Sequence, residues 1–234
     1  MSLTVALIPA RKGSKRLLRK NVRLLMGKPL IQYSIEHALA AVSIDKVVVS
    51  TDDEEVVNIA ERFDCEIIVR PDDLATDAAP MIGVIKHCIE TIRGKIENID
   101  YLVLLQPSVP IRDINKIDEA VMMLKETGCD SVISHVRVDY FHPNRMKKIV
   151  NARVLPYCED EVENVSREGL PEAYYRDGSI YAMRAELPMK SDTIFGTDVR
   201  AVLNNRDWFT NIDEERDWLM AEVLMGKLGK KVNA

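Results

Sequence analysis

The chain alternates short apolar runs with longer amphipathic segments. Leu3–Ala10 is an almost unbroken apolar stretch of strand length, and Leu30–Leu39 has the spacing of a helix that buries one face. The β-branched run Lys46–Thr51 predicts a second strand, after which Asp52 or Asp53 is placed to cap a helix to about Phe63. Glu66–Val69 predicts a third strand, stopped by Arg70 and Pro71. Pro80 suits the first turn of a helix to about Ile92, and Tyr101–Leu105 reads as a fourth strand. Asp113 is placed to cap a helix through about Glu126, Gly128 ends it, and Ser131–Ser134 is the next strand. This rhythm predicts an α/β fold, with a mostly parallel sheet and helices on both faces.

Between Asp139 and Asp177 the rhythm breaks. Prolines, aromatics and the acidic patch of Glu159, Asp160, Glu161 and Glu163 replace it. The segment predicts an inserted arm, 139–177, that covers a site or pairs with a second subunit, on a core of residues 1–138 and 178–234. The parallel pattern is expected to resume at Ser179–Ala182, with a last strand near Arg200–Leu203 and a helix from about Asp213 to Leu224.

At 234 residues and 47% hydrophobic, the chain has the size of one large domain, or of one domain and an arm. No apolar run reaches the length of a membrane span, so no membrane partner is expected. The N-terminal charges follow the apolar stretch, the reverse of a signal peptide. Cys65, Cys88, Cys129 and Cys158 form no C-x-x-C pair, which weighs against zinc or a disulfide framework and fits reduced thiols in the cytoplasm. A net charge of -5 argues against a duplex-DNA binder. With 6% aromatics, none interleaved with the basic residues, single-stranded RNA is also a poor fit.

The charge is unevenly spread. The first acidic residue is Glu36, and before it stand Arg11, Lys12, Lys15, Arg16, Arg19, Lys20, Arg23 and Lys28. A basic loop between a first strand and a first helix is where α/β proteins hold polyphosphate. The loop has neither the G-x-x-x-x-G-K-[ST] nor the G-x-G-x-x-G spacing, so kinase, GTPase and ordinary NAD readings lose weight. Gly13 still allows a tight turn with N–H groups aimed at oxygen, and the cations would stabilise a pyrophosphate leaving group. Thr51-Asp52 and Gln106-Pro107-Ser108 close two further loops at the same end of the sheet. Lys12, Arg16, Arg19 and Arg23 read first as solvated charges.

Ile8-Pro9-Ala10-Arg11-Lys12-Gly13-Ser14-Lys15 followed by Arg19-Lys20-Asn21 resembles the signature of the acylneuraminate cytidylyltransferases, also called CMP-sialic acid synthetases. The likeness continues in order through Ser50-Thr51-Asp52, Arg70-Pro71 with Leu74–Asp77, Leu104–Arg112, Asp177–Tyr181 and Asn211-Ile212-Asp213. The resemblance implies a sheet of the nucleotide-diphospho-sugar transferase type, with the arm exchanged across a homodimer. It implies a reaction in which the anomeric hydroxyl of a 2-keto sugar acid, of sialic or legionaminic type, attacks the α-phosphorus of CTP directly and releases pyrophosphate. Motif by motif, Arg11, Lys20 and Asn21 match triphosphate and nucleotide contacts, Lys15 adds a phosphate contact, and Pro9 and Ala10 shape the base pocket through their backbone. Gln106, Arg145 and Arg167 match sugar contacts, Arg167 from the neighbouring subunit. Asp213 is the matching Mg²⁺ ligand, with Arg11, Lys20 and Asp213 as the catalytic set; Asp213 is also placed to cap the last helix.

Three positions depart from the family pattern. Asn211 stands where the family has the first Asp of D-I-D, Lys12 adds a cation, and Ala78 removes a hydroxyl. Asn211 keeps a carbonyl oxygen for a metal but lacks the charge. Two other readings therefore stay open: the same chemistry on Kdo or with another nucleotide, and a non-catalytic nucleotide-binding protein on this scaffold.

Overall fold

The computed structural model describes residues 2–95, 98–138, 141–159 and 164–232. The apolar start of the chain forms β1 (Thr4–Ala10), every residue of which is buried. The basic loop follows, then a tight hairpin of β2 (Leu24–Leu25) and β3 (Lys28–Pro29), which feeds α1 (Leu30–Ala40). Next come β4 (Lys46–Thr51), α2 (Glu54–Ala60) and β5 (Glu66–Val69), and after them α3 (Met81–Lys95), β6 (Tyr101–Leu104), α4 (Ile114–Thr127) and β7 (Ser131–Val138). Asp53 caps α2 by accepting from Glu55 N, and Asp113 caps α4 by accepting from Asn115 N. Helix α2 stops three residues short of the expected Phe63, where the backbone tightens into turns.

The arm carries the exposed hairpin β8 (Lys147–Val150) and β9 (Arg153–Pro156), turned by Asn151 and Ala152 at φ 50° and 63°. The chain returns as β10 (Ala173–Arg184), passes through α5 (Leu187–Lys190) and β11 (Val199–Asn204), and ends in α6 (Glu215–Val232). Among the described residues the main sheet has the order β11-β7-β10-β6-β1-β4-β5.

Pairs β1–β4, β1–β6, β4–β5 and β7–β11 are parallel, as expected of an α/β sheet. Strand β10 corrects one expectation: it runs antiparallel to both β6 and β7, so the parallel pattern does not resume at Ser179. A parallel return needs a crossover, usually helical, to carry the chain back. The described part of the path from β7 to β10 offers only short turns and a hairpin, so β10 comes back in the opposite sense. It begins at Ala173, inside the segment read as arm.

The alternation along β1 sorts the two faces. Ala6, Ile8 and Ala10 pack with α1, α2 and α4 through Ile35, Ile59, Ile117 and Leu124. Val5 and Leu7 pack on the other face with Ile85, Ile89 and Ile92 of α3. Each fully buried Val, Leu or Ile side chain among these contributes about 1.5–3 kcal/mol. A third cluster of Leu17, Leu25, Leu30, Tyr33, Ile212, Trp218 and Ala221 binds α6 to the basic loop and its hairpin. Strand order reverses at β1, flanked by β4 on one side and β6 on the other, and the crevice beyond such a switch point is where these sheets take ligands.

Gly128 closes α4 at φ 68°, and a Cβ built there would meet nothing within 4 Å. Gly128→Ala therefore isolates the conformational cost of a left-handed residue. We expect it to lower unfolding stability by about 1 kcal/mol in a urea titration, with the slope unchanged.

Candidate active site

A cleft of about 480 Å³ opens beyond the carboxyl ends of β1 and β6. Pro9, Arg11, Lys15, Lys20, Asn21, Gln106 and Asp213 all line it. Ser14, Arg16, Arg70, Asp77, Met81 and Ser108 join them; Arg70 and Asp77 belong to segments that the sequence singles out only by resemblance, with no individual role.

The basic loop is fixed at its backbone before its cations come into play. Buried Asn21 donates to Arg11 O at 3.0 Å, and its own carbonyl accepts from Ile31 N at 2.9 Å, which locks the loop to the start of α1. Asp52, at the end of β4, accepts from Lys12 N at 2.9 Å. Asp52 thus tethers the loop while its neighbour Asp53 caps the helix, a division of labour that the sequence left undecided.

The cations are held by carboxylates from distant segments. Lys15 pairs with Asp77 at 2.6 Å, and Arg11 binds the other oxygen of the same carboxylate. Hydrogen bonds from Lys15 and Arg11 hold the Asp77 carboxyl below the usual carboxylate range. Lys20 Nζ donates to Ile212 O at 2.6 Å and to Asp213 Oδ1 at 3.0 Å. An ammonium has three donors, so one remains for a ligand in the cleft. Arg23 forks onto Glu215 at 2.6 and 2.7 Å and lies 4.3 Å over the Trp218 ring; it is a clamp between the loop and α6, not a solvated charge. Arg19 likewise pairs with Glu55 of α2.

Asp213 is not the cap of α6. Its N–H and that of Glu214 both donate to Asp217 Oδ2 at 2.9 Å, so Asp217 serves the helix start and the Asp213 carboxylate faces Lys20. Asn211 stands on the other side of Asp213. It lines a second cavity of about 600 Å³ with Phe141, Met146, Tyr174, Tyr175, Phe209 and Met220 among its walls. Asp213 borders both spaces. Asn211 Oδ1 is buried and has no hydrogen-bond partner among the described residues.

Two buried guanidinium groups support the cleft, Arg70 in its wall and Arg112 behind it. Arg70 donates to Ser50 O at 3.0 Å, and burial pulls its pKa down. Arg112 donates to Ser179 O at 2.9 Å, Gln106 O at 3.0 Å, Ser34 Oγ at 3.4 Å and His37 Nδ1 at 3.1 Å. Burial pushes Arg112 down to about 10. His37 is pushed down to about 3 by burial first and then by the Arg112 charge, so the ring is neutral and accepts from Arg112. Both arginines sat inside segments that the sequence singled out, yet only the fold shows that they are buried.

The remaining expected site residues lie elsewhere in this chain. Ala10 is fully buried at the end of β1, behind Pro9. Arg145 is exposed at the end of a turn, Pro143–Arg145, and lines neither cavity. That turn is anchored through buried His142, which bonds Pro171 O at 2.8 Å, and Arg145 falls at its free end. Arg167 begins a short turn, Arg167–Gly169, and its side chain lies outside the described residues, as do Asp160, Glu161 and Glu163 of the acidic patch.

Comparison with known proteins places this geometry in context. A sequence model of the family described as cytidylyltransferase matches residues 5–217. The chain is 30% identical over 231 residues to an N-acylneuraminate cytidylyltransferase of Escherichia coli, covering 97% of this chain and 53% of that protein. It is 32% identical over 225 residues to a CMP-N,N'-diacetyllegionaminic acid synthase of Legionella pneumophila, covering 94% of this chain and 95% of that one. It thus spans about half of the first relative and nearly all of the second. Among solved structures, a CMP:2-keto-3-deoxy-manno-octonic acid synthetase complexed with CTP superposes with a TM-score of 0.70 at 20% identity, over 97% of this chain and 99% of that chain. At that identity the likeness concerns the fold alone.

Asp77 stands where an anionic ligand would meet Arg11 and Lys15. Replacing it by Asn removes a competitor for both cations. We expect Asp77→Asn to tighten binding of inorganic tripolyphosphate by about two- to fivefold, the worth of exposed ion pairs, as read by calorimetry without metal. Weaker binding would mean that Asp77 orders the two cations instead of competing for them.

Proposed function

The chain belongs to the cytidylyltransferase family, and from that premise we propose that it transfers CMP from CTP to a nonulosonic acid of sialic or legionaminic type, releasing pyrophosphate. The observation that carries this reading is the pairing of two spaces at Asp213: a cationic cleft of nucleotide size and an aromatic-walled chamber. A polyphosphate fits the first, and a sugar acid with apolar N-acyl groups fits the second better than the hydroxyl-covered Kdo.

In this reading Arg11, Lys15, Arg16 and Lys20 hold the triphosphate, and the remaining donors of Arg70 face the acceptor edge of the base. The anomeric hydroxyl of the sugar acid attacks the α-phosphorus as the bond to the bridging oxygen of pyrophosphate breaks. The hydroxyl proton passes to solvent. The cations take up the charge that develops on the departing pyrophosphate. Gln106 orients the acceptor from this chain's own loop.

Magnesium suits the residues present. Among the described residues no three of His, Cys, Asp and Glu cluster as a protein-only metal site. Asp213, an exposed carboxylate, and Asn211, whose amide oxygen is buried and without a hydrogen-bond partner among the described residues, both line the same chamber. A hard cation that draws its other ligands from phosphate and water needs no more. When bound, it would polarise the α-phosphate and assist pyrophosphate departure.

The arm bears Phe141 and Tyr157 in exposed positions, and Ile149 and Val154 on a hairpin whose strand residues are all exposed. Such a surface fits burial against a second copy, and a homodimer would let Arg145 and Arg167 approach the neighbour's acceptor chamber. Dependence on CTP supports a cytoplasmic reaction in this reading. Among the described residues no helix is long and apolar enough to cross a membrane.

Pyrophosphate release should require CTP, Mg²⁺ and one sugar acid from a panel of sialic, legionaminic and Kdo acids, and chelation of the metal should abolish it. Lys20→Ala should cost about 10²–10³-fold in kcat/KM in a folded protein. Full activity in that variant would remove the central assignment, and CTP binding without turnover on any acid would favour the non-catalytic reading. Light scattering should return twice the 26.5 kDa chain mass. The pair Ile149→Lys and Val154→Lys should shift it towards the monomer.

A further inference from the structure

Strand β10 is irregular where it passes the site. Arg176 faces His135 of β7 and Tyr181 faces Ile133, so β10 carries extra residues between them. The bulge formed by Asp177, Gly178, Ser179 and Ile180 turns at Gly178, whose φ is 79°. Bulges of this kind re-aim the residues beside them.

What Gly178 meets is specific. A Cβ built there would lie 3.2 Å from Gln106 Oε1 and 3.4 Å from Asn211 Nδ2. Both amides therefore rest against the bare backbone of this one residue, and Gln106 lines the nucleotide cleft while Asn211 lines the chamber. The bulge is in turn held from two sides by buried charges. Asp177, 1% exposed, accepts from Ser134 Oγ, from Ser179 N at 2.9 Å and from Asn204 Nδ2 at 2.5 Å. Arg112 donates to Ser179 O and to Gln106 O, and so spans the bulge and the loop that carries Gln106. No contact of Arg112 or Asp177 with the open cleft is needed for this arrangement.

We propose that this bulge is the positioning device for the acceptor side of the site: Gly178 seats the Gln106 and Asn211 amides, and Arg112 and Asp177 hold the seat. The inference rests on Gln106 orienting the acceptor, as proposed above. A glutamine side chain has three rotatable bonds, and one that waits in place loses less on binding than one that must be ordered. Gly178 then acts on the acceptor through Gln106 and has no part in holding CTP.

The test is a double-mutant cycle of Gly178→Ala and Gln106→Ala. Gly178→Ala should raise KM for the sugar acid about tenfold, because it shifts the Gln106 amide by a few tenths of an ångström, while KM for CTP stays within about twofold. In the Gln106→Ala background the same change should add less than about twofold, since the group it displaces is gone. Arg112→Lys, which keeps the charge but cannot span both carbonyls, should reproduce the split between the two KM values in weaker form. A parallel rise in both KM values, or a Gly178→Ala penalty that persists in full without Gln106, would overturn the proposal. The melting temperatures of the four proteins need no turnover. Part of the loss on Gly178→Ala is left-handed strain at φ 79° and is common to both backgrounds; a remainder that vanishes in the Gln106→Ala background supports the seat even where no acid in the panel reacts, and a fully additive loss overturns it.

Discussion

Seven cations in one loop, Arg11 to Arg23, must be held apart and in place without an acid among them, and the rest of the site is organised by that constraint. At a separation of about 6 Å and an effective dielectric near 20, two like charges repel by about 3 kcal/mol. The loop cannot meet this locally, because its first acidic neighbour is Glu36. Counter-charges arrive from elsewhere: Glu55 from α2, Asp77 from the loop before α3, and Asp213 and Glu215 from the start of α6. Five of the cations are thereby pinned towards three separate segments, Arg11 and Lys15 sharing Asp77, which spreads the charges around a cleft instead of collapsing them all onto one acid. The exposed pairs are individually weak, so an incoming polyphosphate can displace them at small cost.

The same constraint explains why the last helix returns to the first loop. Apolar contact supplies the area: Leu17 and Leu25 pack with Ile212, Trp218 and Ala221. Arg23 supplies direction, since a bidentate guanidinium–carboxylate pair fixes orientation as well as distance. Ile212 is then gripped from two sides. Its N–H donates to Ser108 O at 2.8 Å, and its carbonyl receives Lys20 at 2.6 Å. Lys20, Ile212 and the Gln106–Ser108 loop thus form one connected unit, drawn from three parts of the chain that are far apart in sequence.

Much of this was legible beforehand, and the parts that were not share a physical cause. The parallel strands announced themselves because burial on both faces demands near-continuous apolar runs, as in β1 and β4. The basic loop was legible because charge contrast survives without knowledge of the fold. Strand direction did not survive: Ser179–Ala182 has the composition of any buried strand, and the described part of the path from β7, which carries no helical crossover, returns β10 antiparallel. Buried cations were invisible for a related reason. Arginine counts as a surface residue in any hydropathy pattern, and only the carbonyls around Arg70 and Arg112, supplied by distant residues, make burial tolerable. Arg23 was misread as solvated because its partner lies 192 positions away.

Asn211 shows how one such departure can fit its surroundings. A carboxylate at this position would set a second negative charge in the chamber beside Asp213, and it could only accept hydrogen bonds. The amide keeps an oxygen, which is buried and unpartnered among the described residues, and adds an N–H₂ group that rests against Gly178 next to the Gln106 oxygen. The exchange removes charge from any metal held there and adds a donor on the side where Gln106 presents its acceptor. In the reading proposed above, a site with one carboxylate and a seated amide pair would suit a single magnesium ion that relies on the triphosphate for most of its ligands, with the burden of positioning on the bulge of β10.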